Sequence, residues 1–153
     1  MVQRRRIVAL FLTLALAFIT CACPKNSQPS TKIRDAAKAS DRLAVSIGSA
    51  IDLKRTLARQ GTITPQEELL ITNILLEANT LAKNFNATAR SFKADTPENR
   101  SALLKIFGEL SASVARLNDE GVFKIRDPDA RQKFSLITSS ISASLTVIGA
   151  ALQ

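Results

Sequence analysis

The segment TPENRSALLKIFGELSASVARL, residues 96–117, contains the pattern that decides the fold of this chain. Its opening Thr96-Pro97 is typical of a helix start: threonine accepts a hydrogen bond from a free N–H of the first turn, and proline lacks an N–H that would have no partner there. Apolar residues then recur at alternating spacings of four and three, the seam along which helices pack. They are Leu103, Phe107, Leu110, Val114 and Leu117.

Two further helix starts carry the same signal. Proline follows a capping residue at Thr64-Pro65 and at Asp127-Pro128. Glu67 stands three residues after Thr64, which is the spacing of a capping box, in which each of the two side chains bonds the other residue's backbone N–H. Helices are therefore predicted to begin at residues 65 and 128 as well as at 97.

The helix ends are indicated by glycine. Gly61 and Gly121 fall just after helical patterns, where a left-handed residue often ends a helix. Short connections join the first three predicted helices, so these neighbours should be antiparallel. We therefore predict an all-α fold for residues 31–153, an up-down-up-down antiparallel four-helix bundle. Its helices are expected at about residues 31–60, 65–93, 97–119 and 128–152.

The first 22 residues have a different composition. Three arginines, at positions 4–6, precede an uncharged run over residues 7–19, and small residues follow. A positive cluster, an apolar run and a small-residue exit are the three parts of a secretory signal peptide. The apolar stretch ends by residue 22, after sixteen residues, and a membrane-spanning helix needs at least about 17. An uncleaved N-terminal anchor is therefore the weaker alternative.

The exit of this segment reads ITCAC, residues 19–23. It resembles the lipobox of bacterial lipoprotein precursors, with the small residue Ala22 directly before Cys23, and the resemblance covers residues 1–23 only. It implies cleavage between Ala22 and Cys23, a diacylglyceryl group on the Cys23 sulfur, and attachment to a membrane of the bacterial cell envelope. Two or three acyl chains on one residue anchor durably, whereas a single chain anchors only marginally.

Two other interpretations of the cysteines are open. Ordinary signal cleavage at the Ala22–Cys23 bond would give a secreted helical protein without lipid. Cys21 and Cys23 could instead form a C-x-C thiol pair, but the chain has no histidine and no second cysteine pair to complete a metal site. In the lipoprotein interpretation, residues 23–30 are the modified cysteine and a polar tether that precedes the bundle.

Composition limits the function. Without residues 1–22 the chain has 18 lysines and arginines against 13 aspartates and glutamates, a surplus of five. This surplus favours anionic headgroups or other envelope polyanions. Nucleic acid is not expected as a partner, because an exported chain without Trp or Tyr lacks stacking platforms. The absence of histidine removes Ser-His and Cys-His catalysis and histidine-ligated haem. We predict no enzyme activity, cofactor or metal.

Basic residues cluster at the start of the first predicted helix. Three of them are spaced by four, so they lie on one helix face, where like charges mildly destabilise the helix. The candidate contacts to anionic headgroups are Lys25, Lys32, Arg34, Lys38 and Arg42. The preferred interpretation is a solvated face that Asp35 and Asp41 partly neutralise, with headgroup contact as the alternative.

The connection before the last helix, DEGVFKIRD at residues 119–127, carries apolar residues among charges. We expect Phe123 to fold back and close the end of the bundle. If these residues are exposed instead, Val122, Phe123 and Ile125 form a contact patch for a protein partner. The antiparallel topology puts this connection at the end of the bundle opposite the tether.

The last predicted helix has no charged residue from Phe134 to Gln153. This length would span a bilayer, but seven of the twenty residues are Ser or Thr and no basic residue follows. We predict that it is the most buried helix of the bundle, apolar on nearly all sides, with a transmembrane helix as the alternative.

The preferred function is a non-enzymatic, lipid-anchored envelope module that binds or organises a protein partner. The alternative is a carrier of an amphipathic, lipid-like ligand between the helices, which the hydroxyl-rich last helix suggests.

Overall fold

The computed structural model describes residues 31–153, so the predicted signal peptide with Ala22, and also Cys23 and Lys25, lie outside the described residues. The described part consists of four α-helices, and no strand occurs among these residues. We label them α1 (Thr31–Arg59), α2 (Pro65–Ser91), α3 (Pro97–Arg116) and α4 (Pro128–Leu152); a π-helical segment, Leu117–Val122, continues α3. The predicted all-α four-helix bundle is confirmed.

The connection between α1 and α2 has the predicted chemistry. Gly61 is left-handed, with φ of +68°. The N–H of Thr62 donates to the carbonyl of Leu57 and that of Gly61 donates to Ala58, both at 3.0 Å, which is the Schellman arrangement for ending a helix. The capping box is also present, because Thr64 Oγ1 accepts from the Glu67 N–H while the Glu67 carboxylate accepts from the Thr64 N–H.

The other two predicted caps are single hydrogen bonds. The Thr96 hydroxyl accepts from the N–H of Asn99 at 3.2 Å at the start of α3. The Asp127 carboxylate accepts from the N–H of Ala130 at 2.7 Å at the start of α4. Each bond satisfies one of the free N–H groups of a first turn, so the sequence pattern located all three helix starts.

The end of α3 differs from the prediction. The helix does not stop at residue 119, and Gly121 is not a left-handed cap: it lies inside the π-helical segment and is buried. A Cβ at Gly121 would lie 3.3 Å from Leu117 Cδ1 and 3.5 Å from Ile71 Cγ1. The tighter contact is to Leu117 of the same segment and the contact to Ile71 of α2 is an ordinary van der Waals distance, so packing rather than backbone conformation is what limits this position.

The helices are antiparallel neighbours around one core. The Ser40 hydroxyl donates to the carbonyl of Ala82 and Lys54 Nζ contacts Glu68, so residue numbers rise along α1 as they fall along α2. Helix α4 packs mainly against α1, and α3 lies between α2 and α4. All four helices contribute to the core, whose largest fully buried side chains include Leu43, Ile47, Phe85, Leu103, Leu110 and Phe134.

This topology defines two ends of the bundle. The proximal end, where residue 31 enters, contains the start of α1, the end of α2, the start of α3 and the end of α4. The distal end contains the connection of residues 60–64 and the connection of residues 117–127. At about 1.5 Å per residue, the 29 residues of α1 separate the two ends by about 43 Å.

The prediction that α4 is the most buried helix is wrong. Only 28% of its most apolar 18-residue window is buried, and Leu136 is 68% exposed. The buried residues form a single stripe of Ala130, Phe134, Thr138, Ile141, Leu145, Ile148 and Leu152. From residue 134 onward the exposed side chains are uncharged: most bear a hydroxyl or are small, and Leu136 and Val147 are large and apolar. Within residues 31–153, α4 alone is long and apolar enough to cross a membrane.

Candidate functional site

The three predicted partner contacts lie in the distal connection of residues 117–127, and they differ in exposure. Val122 and Ile125 are buried, so they cannot contact a partner as predicted. Phe123 is 69% exposed, so the expectation that it closes the bundle is wrong as well. The N–H of Ile125 donates to the carbonyl of Val122 at 3.1 Å. This turn directs Val122 and Ile125 inward and leaves the ring between them outside.

One carboxylate joins the two distal connections. Glu67 Oε2 accepts from the N–H of Thr64 at 2.6 Å and Glu67 Oε1 accepts from the N–H of Arg126 at 3.0 Å. Burial raises the pKa of Glu67, but the hydrogen bonds from Thr64 and Arg126 favour the ionised form more strongly and hold the pKa below its ordinary value of 4.5. Phe123 therefore projects from a connection that the hydrogen bond at Arg126 holds to the start of α2.

The predicted basic face is present on α1. Lys32, Arg34, Lys38 and Arg42 are all exposed. Lys38 Nζ lies 3.7 Å from Asp35, whereas Asp41 accepts from Arg90 of α2 at 2.8 Å instead of neutralising the α1 residues. Arg34 makes no ion pair with any described residue. The face is thus only partly neutralised, and it is joined by a cation from α2.

An apolar cleft opens beside this face, between the start of α1 and the end of α2. Its volume is about 430 Å³. Arg34, Lys38 and Arg90 form the rim of this proximal cleft. The floor consists of apolar side chains that are buried or half-buried: Ile33, Ala37, Ala89 and Phe92. The sequence pattern does not predict the cleft, because its two walls lie more than fifty residues apart in the chain.

Charge is distributed unequally between the two ends. The proximal half, residues 31–45, 78–107 and 140–153, has nine lysines and arginines against four aspartates and glutamates. The distal half, residues 46–77 and 108–139, has eight against nine. The proximal half therefore has a surplus of five and the distal half a deficit of one, so the whole positive surplus of the described residues lies in the proximal half.

The hydroxyl groups of α4 mostly donate to backbone carbonyls of the same helix. Ser139 donates to the carbonyl of Ser135 at 2.8 Å and Ser144 to that of Ser140 at 3.1 Å. The Ser140 hydroxyl also lies 3.2 Å from that of Ser46 on α1. Ser140 and Ser144 line a surface groove of about 190 Å³ between α1 and α4, rather than a cavity inside the bundle.

The adjacent residues Glu67 and Glu68 bond different partners. Glu68 pairs with the buried Lys54 at 3.2 Å, and Lys54 also donates to Thr72 Oγ1 at 3.0 Å. Glu67 points instead to the distal backbone. Within residues 31–153 no three His, Cys, Asp or Glu side chains are grouped so that they could hold a metal ion.

Comparison with known proteins identifies no relative. No family model, no curated protein and no solved structure matches the chain.

Proposed function

We propose that this protein is a bacterial envelope lipoprotein, anchored through acyl chains on Cys23, whose helical bundle is a non-enzymatic binding module for a protein partner. The lipobox-like residues 19–23 and the signal-like segment before them support the anchor. The basic face of α1 supports an orientation in which the proximal end faces anionic headgroups.

The exposed ring of Phe123 is the observation that carries the binding role. Aromatic and arginine side chains are enriched at the energetic centres of protein interfaces. Phe123 is 69% exposed, and its neighbours Lys124 and Arg126 are exposed too. The hydrogen bonds of Glu67 hold this connection, so little conformational freedom is lost when a partner binds. With the anchor at the proximal end, Phe123 would stand about 40 Å from the membrane.

Capture of the partner tests this role. Phe123→Asp in the full-length chain, cross-linked in its native envelope, is expected to reduce recovery of the specific cross-linked partner by about tenfold or more. Val45→Asp is the matched control, because Val45 is 71% exposed but lies near the middle of α1, in the proximal half of the bundle. Circular dichroism should be unchanged for both variants. Equal recovery from wild type and Phe123→Asp would exclude this ring as the contact.

The anchor requires its own test. Cys23→Ala should remove the acylated N-terminal fragment from the mass spectrum of membrane-extracted protein and release or stall the chain. Cys21→Ala should leave the acylated fragment intact, since in this proposal Cys21 leaves with the signal peptide. Equal effects of both substitutions would contradict Cys23 as the modified residue.

A further inference from the structure

We propose that the proximal cleft binds one anionic phospholipid of the membrane that holds the protein. The lipid phosphate would lie between Arg34, Lys38 and Arg90, and the glycerol and first part of an acyl chain would lie on the apolar floor beside Phe92. This inference deepens the proposed headgroup contact and rests on the proposed anchor, which brings the proximal end to the membrane. In this proposal the basic residues bind one lipid molecule at a defined place, rather than attracting headgroups in general.

The floor of the cleft indicates more than electrostatic adsorption. A headgroup held only by long-range attraction needs basic residues near the surface and nothing else. Here the cations surround side chains that are all apolar, contributed by both α1 and α2. The volume of about 430 Å³ lies within the roughly 300–1,000 Å³ of small-molecule sites, which combine an apolar lining with a few polar groups that orient the ligand. An amphipathic anion matches both parts of this surface.

The rim can receive a phosphate at small cost. Arg34 has no ion pair with the described residues. Lys38 Nζ and Asp35 Oδ1 are separated by 3.7 Å, a long distance for an ion pair, and both side chains are more than half exposed. The attraction between them is therefore weak and screened by salt. Arg90 Nη2 donates to Asp41 at 2.8 Å while its Nε donates to Asn86. Asp35 and Asp41 are the carboxylates that oppose an anion here, and three cations exceed them.

The location of the cleft favours a lipid over other anions. It lies at the proximal end, where residues 23–30 lead from the proposed membrane anchor, and in the half of the bundle that carries the positive surplus. Seven tether residues, 24–30, extend over about 24 Å at most. The cleft is therefore kept within reach of headgroups, whereas a soluble anion would have to reach it by diffusion.

Lipid retention in nanodiscs tests the site. Lipidated full-length protein would be reconstituted in phosphatidylcholine with a minor fraction of phosphatidylglycerol, and bound lipid would be measured by native mass spectrometry after gentle detergent release. Wild type is expected to retain one phosphatidylglycerol. The double variant Arg34→Ser/Lys38→Ser should lower the retained fraction by about tenfold or more. The matched control Arg55→Ser/Arg59→Ser removes two cations at the same spacing from the distal part of α1 and should retain the lipid.

The apolar floor is tested separately. Phe92→Ser should weaken retention, and Ala37→Phe should do so by filling the cleft without removing a charge; circular dichroism identifies any variant that fails to fold. Loss of retention only in the arginine and lysine variant would mean headgroup adsorption and would overturn a cleft-bound lipid. Equal retention by all folded variants would overturn the site altogether. Either result leaves the Cys23 anchor and the Phe123 contact to stand or fall on their own experiments.

Discussion

The distal and proximal ends of the bundle are built from the same helices but are closed in different ways. At the distal end, buried Val122 and Ile125 fill the space between the helices, and Glu67 holds both connections through backbone N–H groups. At the proximal end, the cleft remains open between α1 and α2, and the cross-helix contact of its rim is the exposed pair of Asp41 and Arg90. The distal end is also nearly neutral, whereas the proximal end is basic.

This difference separates stability from binding. Buried apolar side chains and hydrogen-bonded carboxylates stabilise a fold, whereas exposed ion pairs contribute little to it. We therefore expect substitutions at the distal end to affect mainly unfolding, except at Phe123, and substitutions at the proximal end to affect mainly ligand retention.

The largest expected effect on stability is at Ile125. Ile125→Ala removes a fully buried side chain from the distal closure and should lower the free energy of unfolding by about 2–5 kcal/mol, measured by urea denaturation. Phe123→Ala, two residues away, should change it by about 0.5 kcal/mol or less because the ring is mostly exposed. Similar losses for both variants would mean that the ring contributes to the closure, and the proposed contact surface would lose its basis.

The sequence predicted the helix starts better than the connections. A cap is a local device: Thr64, Thr96 and Asp127 each bond an N–H three residues later in the chain. The exposure of Phe123, by contrast, is determined by contacts between segments that are distant in the chain. Val122, Phe123 and Ile125 are all apolar, and which of them points inward depends on how the π-helical segment meets α2, where Gly121 packs against Ile71.

The proximal cleft could not be predicted for a related reason. Its residues Ile33 and Ala37 follow the apolar pattern of α1, and Phe92 follows that of α2. Their patterns state which face of each helix is apolar but not the axial offset between the two helices, and that offset brings Phe92 and Arg90 next to Arg34. The exposed face of α4 differs from the prediction because a run without charges need not be buried: serine and threonine hydroxyls donate to backbone carbonyls of the same helix.

An intermediate effect is expected at Glu67, and it should depend on pH. Gln lacks one of the two acceptor oxygens, so Glu67→Gln should lower the free energy of unfolding by about 1 kcal/mol at neutral pH. The pKa of Glu67 lies below its ordinary value of 4.5, so the ionised form is favoured in the folded state. This stabilisation is complete above about pH 4.5 and is lost as the pH falls through the lower folded pKa.

Glu98, which lies in the first turn of α3 at the proximal end, supplies the control for Glu67→Gln. The pKa of Glu98 is also lowered, by the hydrogen bond from its own backbone N–H and by the Thr96 hydroxyl, but Glu98 is exposed and joins no second connection. Urea titrations of Glu67→Gln and Glu98→Gln at pH 7 and in acid should show the larger loss for Glu67→Gln at pH 7, and the difference should shrink in acid. A Glu67→Gln deficit that persists unchanged in acid would contradict the carboxylate as its source.

The smallest effect on stability is expected at the proximal rim. Arg90→Ser breaks the ion pair with Asp41, whose two side chains are 61% and 51% exposed. Exposed pairs of this kind contribute about 0–1 kcal/mol and are screened by salt, and Asp41 keeps its hydrogen bond from Asn86 at 2.6 Å. The free energy of unfolding should therefore fall by about 0.5 kcal/mol or less in low salt and be unchanged in high salt.

Retention of phosphatidylglycerol in nanodiscs should nevertheless decrease, because Arg90 is the cation that α2 contributes to the cleft. A loss of stability as large as that of Ile125→Ala would show that the proximal rim closes the bundle as the distal end does, and the separation of stability from binding would not hold. A small loss of stability together with weaker lipid retention is the combination that only a binding role of the rim explains.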